Sequence, residues 1–509
     1  MSIQLPFINT TGLSPSAPTL ASVADQVRAA CHDVLVHATG RGLPFLVPYT
    51  LMGTLIVPAL WLAIPHLQRP LLYQTRWLVV AACLAFNAHV TLSSGSDKLA
   101  ISYSIGLVAA WGSMSVLHLL VWTRPQFDAL RAVQVFDSPR VIDSKHGSGP
   151  VGTFYWQPFP ADAPFLVRLG WTVDLILSFR GIGWNWVIAS VPRPRAPRAN
   201  EPVDVDSMPL SSTSGSTRCL TEADFVRKRL SSLAIQYIVL DACLIIITRD
   251  PYFLLGPDSD WELPFHLSGI PAWLLLVYRE SIMGAIALCV LGVLFTINDL
   301  VQYYYLKAYV SGRSALWLHP SSFGSFSSVL DRGLSGFWGG FWHQTFRQQF
   351  LAPANYLIDR GYLKRRSQAA TNVMTLISFF QSGVLHLAGS LSSIPETRIW
   401  RSMVFFLLQA LGMFIQTTLS GHIRRRFSPS KALARTANLV FTTGWLYCTS
   451  WLIMDDFISA GLAKTELLPV SPLRWAGFGR PTDSWLRWDR DCFPTWYRGQ
   501  HWWESGIAL

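Results

Sequence analysis

An all-α, polytopic membrane fold of about eight transmembrane helices follows from three features: scarce charge, apolar runs of membrane-spanning length, and basic residues gathered in alternate loops. Half of the 509 residues are hydrophobic, only 14% are charged, and mean hydropathy is +0.30; soluble domains carry roughly a quarter charged residues. A span needs about 20 mainly apolar residues. Such runs occupy 43–64, 77–93, 101–122, 232–248, 281–303, 371–393, 401–420 and 437–459. Segments 165–190 and 263–278 are apolar but short or interrupted and read as re-entrant or interfacial, which extends the count to nine or ten.

Loop charge sets the orientation. Arginine and lysine collect in loops 65–76, 123–231, 304–370 and 421–436, which therefore share one side, read as cytosolic. The other side receives both termini and the acidic loop with Asp250, Asp258, Asp260 and Glu262. Topology accounts for most of the net charge of +11, which removes nucleic acid as a partner. The sequon at Asn9 then faces the lumen, as expected of a glycosylated protein of the endoplasmic reticulum.

The expected layout is a lumenal segment 1–42, a first helical group 43–122, a cytosolic loop 123–231, a transmembrane core 232–460 and a Trp-rich lumenal tail 461–509. Within the loop, the Pro-, Ser- and Arg-rich stretch 191–220 reads as a disordered linker. The tail is expected to seat at the membrane surface. The start MSIQLPF lacks the basic opening of a cleaved signal peptide, so insertion is expected to rest on the first span. Seven cysteines without a CxxC pair or a histidine at ligand spacing predict neither a metal site nor a disulfide scaffold.

Ionisable groups within spans are costly, so each calls for a partner or a task. Asp241, the adjacent Asn298 and Asp299, and His386 stand out. His386 follows Gln381 and Ser382 in its span and lies roughly 23 Å from the cytosolic end at 1.5 Å rise per residue. One reading is a histidine hydrogen-bonded to a neighbouring helix; the other is a general base, since a neutral imidazole takes a proton from an alcohol near pH 7.

The stretch GFWGGFWHQTFRQQF at 336–350 sets a second histidine among aromatic rings. As a helix it would stack Trp338, Trp342, Phe346 and Phe350 in one stripe, with His343 and Arg347 on an adjacent face. That is the pattern of an interfacial aromatic belt. Gly339 and Gly340 argue against a plain helix, where each costs about 1 kcal/mol, and favour a bend that lets a ligand approach.

WHQTFR at 342–347, preceded by FWGG at 337–340 and followed by SGVLH at 382–386, resembles the wax synthase-like branch of the membrane-bound O-acyltransferases. RGIGWNW at 180–186 is similar to an upstream block of the fungal members, among them acetyltransferases of terpenoid and mycotoxin pathways; the resemblance covers about 165–425. It implies an enzyme with a tunnel through the membrane, entered by acyl-CoA from the cytosolic side and by a lipophilic alcohol through the bilayer or from the opposite face, with no permanently bound cofactor. His386 corresponds to the base and His343 to a residue near the thioester. Leu387 and Ala388 follow His386 where many relatives place a glutamate, so what orients the base is left unassigned.

Acyl transfer from a thioester to an alcohol needs a base and a donor to the oxyanion. His343 or the amide of Gln344 is the candidate donor. Trp338, Trp342, Ser382 and Asp299 are candidate substrate contacts, and Arg347, Lys364, Arg365 and Arg366 are candidate partners for CoA phosphates. The positive-inside rule explains the same basic residues without a substrate. No GxSxG or paired Cys/His suggests an acyl-enzyme, so direct transfer is expected. Acetyl-CoA with a terpenoid-like hydroxyl is the favoured pair. A long-chain wax or sterol ester synthase, or a transporter whose Asp241, Asp299 and His386 line a polar path, are the alternatives.

Overall fold

The computed structural model describes residues 43–509 except 97, 136–152, 196, 307–312, 314, 395–396 and 481–482. The expected segment 1–42, with the Asn9 sequon, lies outside the described residues. The principal helices are α1 Tyr49–Leu62, α2 Pro70–Ser93, α3 Leu99–Trp122, α4 Phe165–Leu177, α5 Glu222–Ile247, α6 Ala272–Tyr305, α7 Arg347–Asp359, α8 Gln368–Ser392, α9 Trp400–Arg426 and α10 Lys431–Ser459.

Six of these, α2, α3, α5, α6, α8 and α9, are long and apolar enough to cross a membrane. The expected run 43–64 yields only the short apolar α1. The run 437–459 lies inside a 29-residue helix whose threonines, Asn438 and tryptophans dilute its apolar character. The segment 263–278 is not a separate re-entrant piece: from Ala272 it continues into α6 without interruption, because Pro271 is the last residue that could break it. Segment 165–190 is the 13-residue α4 followed by an irregular loop, which is too short to span.

Helix ends follow local chemistry. Ser367, Thr221 and Ser430 cap α8, α5 and α10, each accepting from a backbone N–H three residues on. Arg424, Arg425 and Arg426 close α9, where cations suit the C-terminal dipole.

α8 is the hub. It packs against α3, α9 and α7, with α2 alongside, while α5 pairs with α6 and α9 with α10. Small residues let α3 and α8 approach closely: Gly106 faces the backbone of Ala388, leaving no room for a Cβ, and Gly389 faces the Tyr103 ring, with a Cβ falling 2.6 Å from Cε1. Ser102 Oγ donates to the Ser392 carbonyl at 2.8 Å and Ser392 Oγ to the Ser102 carbonyl at 2.7 Å, locking the register.

Two expectations are corrected. The stretch 191–220 is not a disordered linker: Val203 and Met208 are buried with Phe154, Trp156 and Trp317 in one apolar cluster, and Cys219 is 4% exposed. A few large side chains suffice to anchor a segment whose average composition is polar. The tail is not simply an aromatic membrane anchor. Its strands β4 Thr495–Tyr497 and β5 Gly506–Ala508 join β1 Leu46–Val47 in an antiparallel sheet of order β1-β5-β4, and β2 Arg131–Val135 pairs with β3 Thr153–Gln157 in a hairpin.

Candidate active site

The stretch 336–350 is not one continuous helical stripe; it is broken just after Gly339 and Gly340, the two glycines that argued against a plain helix. A π-helical turn over Phe337–Phe341 ends where Trp342 turns extended (φ −62°, ψ 152°), and α7 begins at Arg347. Breaking a helix exposes carbonyl oxygens that an apolar environment cannot hydrate. Gln344 Nε2 donates to the carbonyls of Trp338 at 2.7 Å and Trp342 at 2.6 Å. Arg347 Nη1 donates to the Gly339 carbonyl at 2.8 Å and to Gln344 Oε1 at 2.6 Å. Both side chains are therefore committed to holding the break open, and the Gln344 amide is spent on backbone oxygens rather than free for a substrate.

The break places His343 among rings. Its neighbours are Trp342 at 5.3 Å, Phe295 of α6 at 5.8 Å, Phe323 at 6.4 Å and Phe346 at 6.5 Å between centroids. Nδ1 lies 3.1 Å from Thr345 Oγ1, while Nε2 has no partner among the described residues. Burial, with the charges of His386 and Arg180 nearby, pushes this imidazole down to about 3, so it is neutral at pH 7.

His386 stands on α8 with its ring stacked on Phe406 at 5.0 Å and beside Phe457 at 5.8 Å. Nδ1 lies 3.1 Å from the hydroxyl of Tyr103, which also donates to the His386 carbonyl at 3.2 Å; Nε2 again has no partner among the described residues. A run of ring contacts connects the two histidines: Phe406 touches Trp338 at 6.1 Å, and Trp338 touches Trp342 at 5.9 Å. Trp338 also donates from Nε1 to Gln409 at 3.3 Å. Ser382 lies one turn before His386 on the same face of α8.

The RGIGW block joins this centre. Gly181 and Gly183 take φ of +64° and +82°, the left-handed region open to glycine, and turn the chain back on itself. Phe179 packs on Phe346 at 5.9 Å. Arg180 donates to the carbonyls of Ser321 at 2.9 Å and Pro320 at 3.3 Å, and burial lowers its pKa below the ordinary arginine value.

Other candidates are placed elsewhere. Asp299, 5% exposed, is paired with Arg229 at 2.9 Å and faces His319 at 3.8 Å, tying α6 to α5. Asp241 accepts from Ser471 Oγ at 2.6 Å and from the Leu473 amide at 2.9 Å, anchoring the tail to α5. Arg365 pairs with Asp359 at 2.8 Å on the surface. Thus Asp241 and Asp299 each close a local contact and do not share a path with His386. Tyr103 is a site residue that sequence reasoning missed: a tyrosine in an apolar span carries no motif, and its partner lies 283 positions away.

Residues 319–408 match the membrane bound O-acyl transferase family, an interval that holds both histidines. The chain is 23% identical over 380 residues to acetyltransferase ple2 of Rhodocybe pseudopiperita, covering 74% of this chain and 84% of that one. It is 24% identical over 319 residues to O-Mevalon transferase yanI of Aspergillus niger (59% and 64%) and 25% identical over 316 residues to acetyltransferase pyr8 of Aspergillus fumigatus (60% and 68%). No solved structure matches. With both histidines inside the matched interval, six span-length helices and these relatives, the chain is a multi-pass membrane acyltransferase similar to the membrane bound O-acyl transferase family.

Proposed function

We propose that the enzyme transfers acetyl from acetyl-CoA directly to a hydroxyl of a lipophilic, terpenoid-like acceptor, with His386 as base. The observation that carries this reading is that both histidines contact the protein through Nδ1, while Nε2 of each has no partner among the described residues. With Nδ1 of His343 held 3.1 Å from Thr345 Oγ1, Nε2 is the nitrogen left for the thioester oxyanion, and the tautomer protonated at Nε2 supplies the N–H donor. The neutral state of His343 keeps this donor intact at pH 7 without adding a charge that would oppose protonation of His386. His386 Nε2 takes the proton of the acceptor hydroxyl, the oxygen attacks the thioester carbon, the C–S bond breaks, and the thiolate leaves with that proton. Aromatic walls of Phe406, Trp338 and Trp342 suit an apolar acceptor held within the membrane.

The donor enters from the basic, cytosolic face in this reading, and the enzyme resides in the endoplasmic reticulum. The names of the relatives support acetyl as the first donor to test, while the O-Mevalon transferases among them make the transferred group a variable. Microsomes carrying the protein, given labelled acetyl-CoA or palmitoyl-CoA with a panel of lipophilic alcohols, decide it. Ester from acetyl-CoA and a terpenoid alcohol is expected; ester from palmitoyl-CoA alone would replace the reading with a long-chain ester synthase, and no ester from any pair would refute it.

A further inference from the structure

His386 can act as a base only if Nε2 is its bare nitrogen, and that depends on what lies beyond Tyr103. Ser390, one turn after His386 on α8 and next to the Gly389 that faces the Tyr103 ring, donates to Oδ2 of Asp456 on α10. Asp456 is fully buried, and its Oδ1 has no partner among the described residues. Arg401, 4% exposed, pairs with the adjacent Asp455 at 3.4 Å. Gly389, between His386 and Ser390, leaves the room that the Tyr103 ring occupies.

An ionised carboxylate only accepts hydrogen bonds. The Ser390 proton points at Asp456 Oδ2, which accepts it, so Ser390 is tied to α10. Tyrosine has one hydroxyl proton, and the His386 carbonyl, which accepts it at 3.2 Å, draws it away from Nδ1. Nδ1 must then carry its own hydrogen and donate it to Tyr103, so Nε2 is bare.

We propose that Asp456, Ser390 and Tyr103 form a positioning relay that holds His386 in the Nε2-basic tautomer and stabilises the imidazolium formed during transfer. The proposal rests on His386 being the base. No proton travels along the relay: the acceptor hydroxyl gives its proton to Nε2, and Nε2 returns it to the departing CoA sulfur. All three relay members are positioning residues, since none touches the reacting atoms.

The test is steady-state transfer by full-length variants in detergent, compared at matched monodispersity. Tyr103→Phe keeps the ring and removes the hydroxyl; it should lower kcat by about 10- to 100-fold with KM for acyl-CoA unchanged. Ser390→Ala and Asp456→Asn should lower the same constant, Ser390→Thr should restore most of it, and the Tyr103→Phe/Asp456→Asn double variant should be no slower than its slower parent. Wild-type kcat in Ser390→Ala and in folded Tyr103→Phe, with His386→Ala inactive, overturns the relay and leaves the base standing. Independent, multiplying losses in the double variant also overturn it. Activity in folded His386→Ala removes the underlying base assignment instead.

Discussion

Replacing Gly106 by alanine tests the α3–α8 seam on which the centre depends. The added methyl would meet the Ala388 carbonyl oxygen, its carbon and the Gly389 nitrogen, all backbone atoms that no rotamer change can move. The Ala388 oxygen would lie 1.8 Å from the new Cβ, so restoring a contact of ordinary length, about 3.4 Å, requires the two helices to part by about 1.6 Å, and overpacking of this kind costs about 1–3 kcal/mol. The same displacement strains the reciprocal Ser102–Ser392 hydrogen bonds, each worth about 0.5–1.5 kcal/mol. It also draws Tyr103, three residues before Gly106, away from His386. The expected result is a clear loss of thermal stability in detergent, followed by size-exclusion fluorescence on heating, together with reduced transfer in the protein that stays folded. Wild-type stability and wild-type activity in Gly106→Ala would refute the described packing of α3 against α8.

Trp338→Ala removes a ring packed on Phe379, Phe405 and Phe406 and should destabilise by about 3–5 kcal/mol, read as a lowered unfolding midpoint. Arg347→Lys, which lacks the planar fork that reaches both the Gly339 carbonyl and Gln344, should reduce transfer more than it reduces expression; equal activity would count against the stapled break. His343 is neutral when folded and takes up a proton near 6.5 when unfolded, so the unfolded state binds more protons between about 3 and 6.5. Stability should therefore fall as pH drops through that window, by up to about 1.4 kcal/mol per pH unit, and His343→Gln should flatten the slope in a pH series of unfolding midpoints. Asp241→Asn weakens the hold on Ser471 and Leu473, so limited proteolysis should release the tail faster than in the wild type.

Much of the membrane architecture was legible because hydropathy reports burial in lipid directly: runs 101–122 and 371–393 correspond to α3 and α8 within a few residues. The neighbourhood of His343 and His386 was legible from motif resemblance, not from spacing. What escaped was the chemistry made between distant elements. Tyr103, Ser390 and Asp456 come from three helices, and nothing local in any of them marks the other two. Gln344 was read as a substrate contact because a polar amide beside a histidine suggests one; the need to satisfy carbonyls at a broken helix turned it inward. The stretch 191–220 misled for a related reason, since average composition hides the two or three apolar residues that pin a loop. Asp299 and Asp241 were correctly singled out as needing partners, and those partners, Arg229 and the Ser471 turn, lie on segments far along the chain.

The most direct measurement is transfer of a labelled acyl group from acyl-CoA to a lipophilic alcohol by purified His386→Ala, confirmed as folded by a wild-type elution profile and unfolding midpoint. Loss of the base is predicted to reduce turnover by at least about 100-fold with acyl-CoA binding retained. Wild-type turnover in that folded variant would contradict the account.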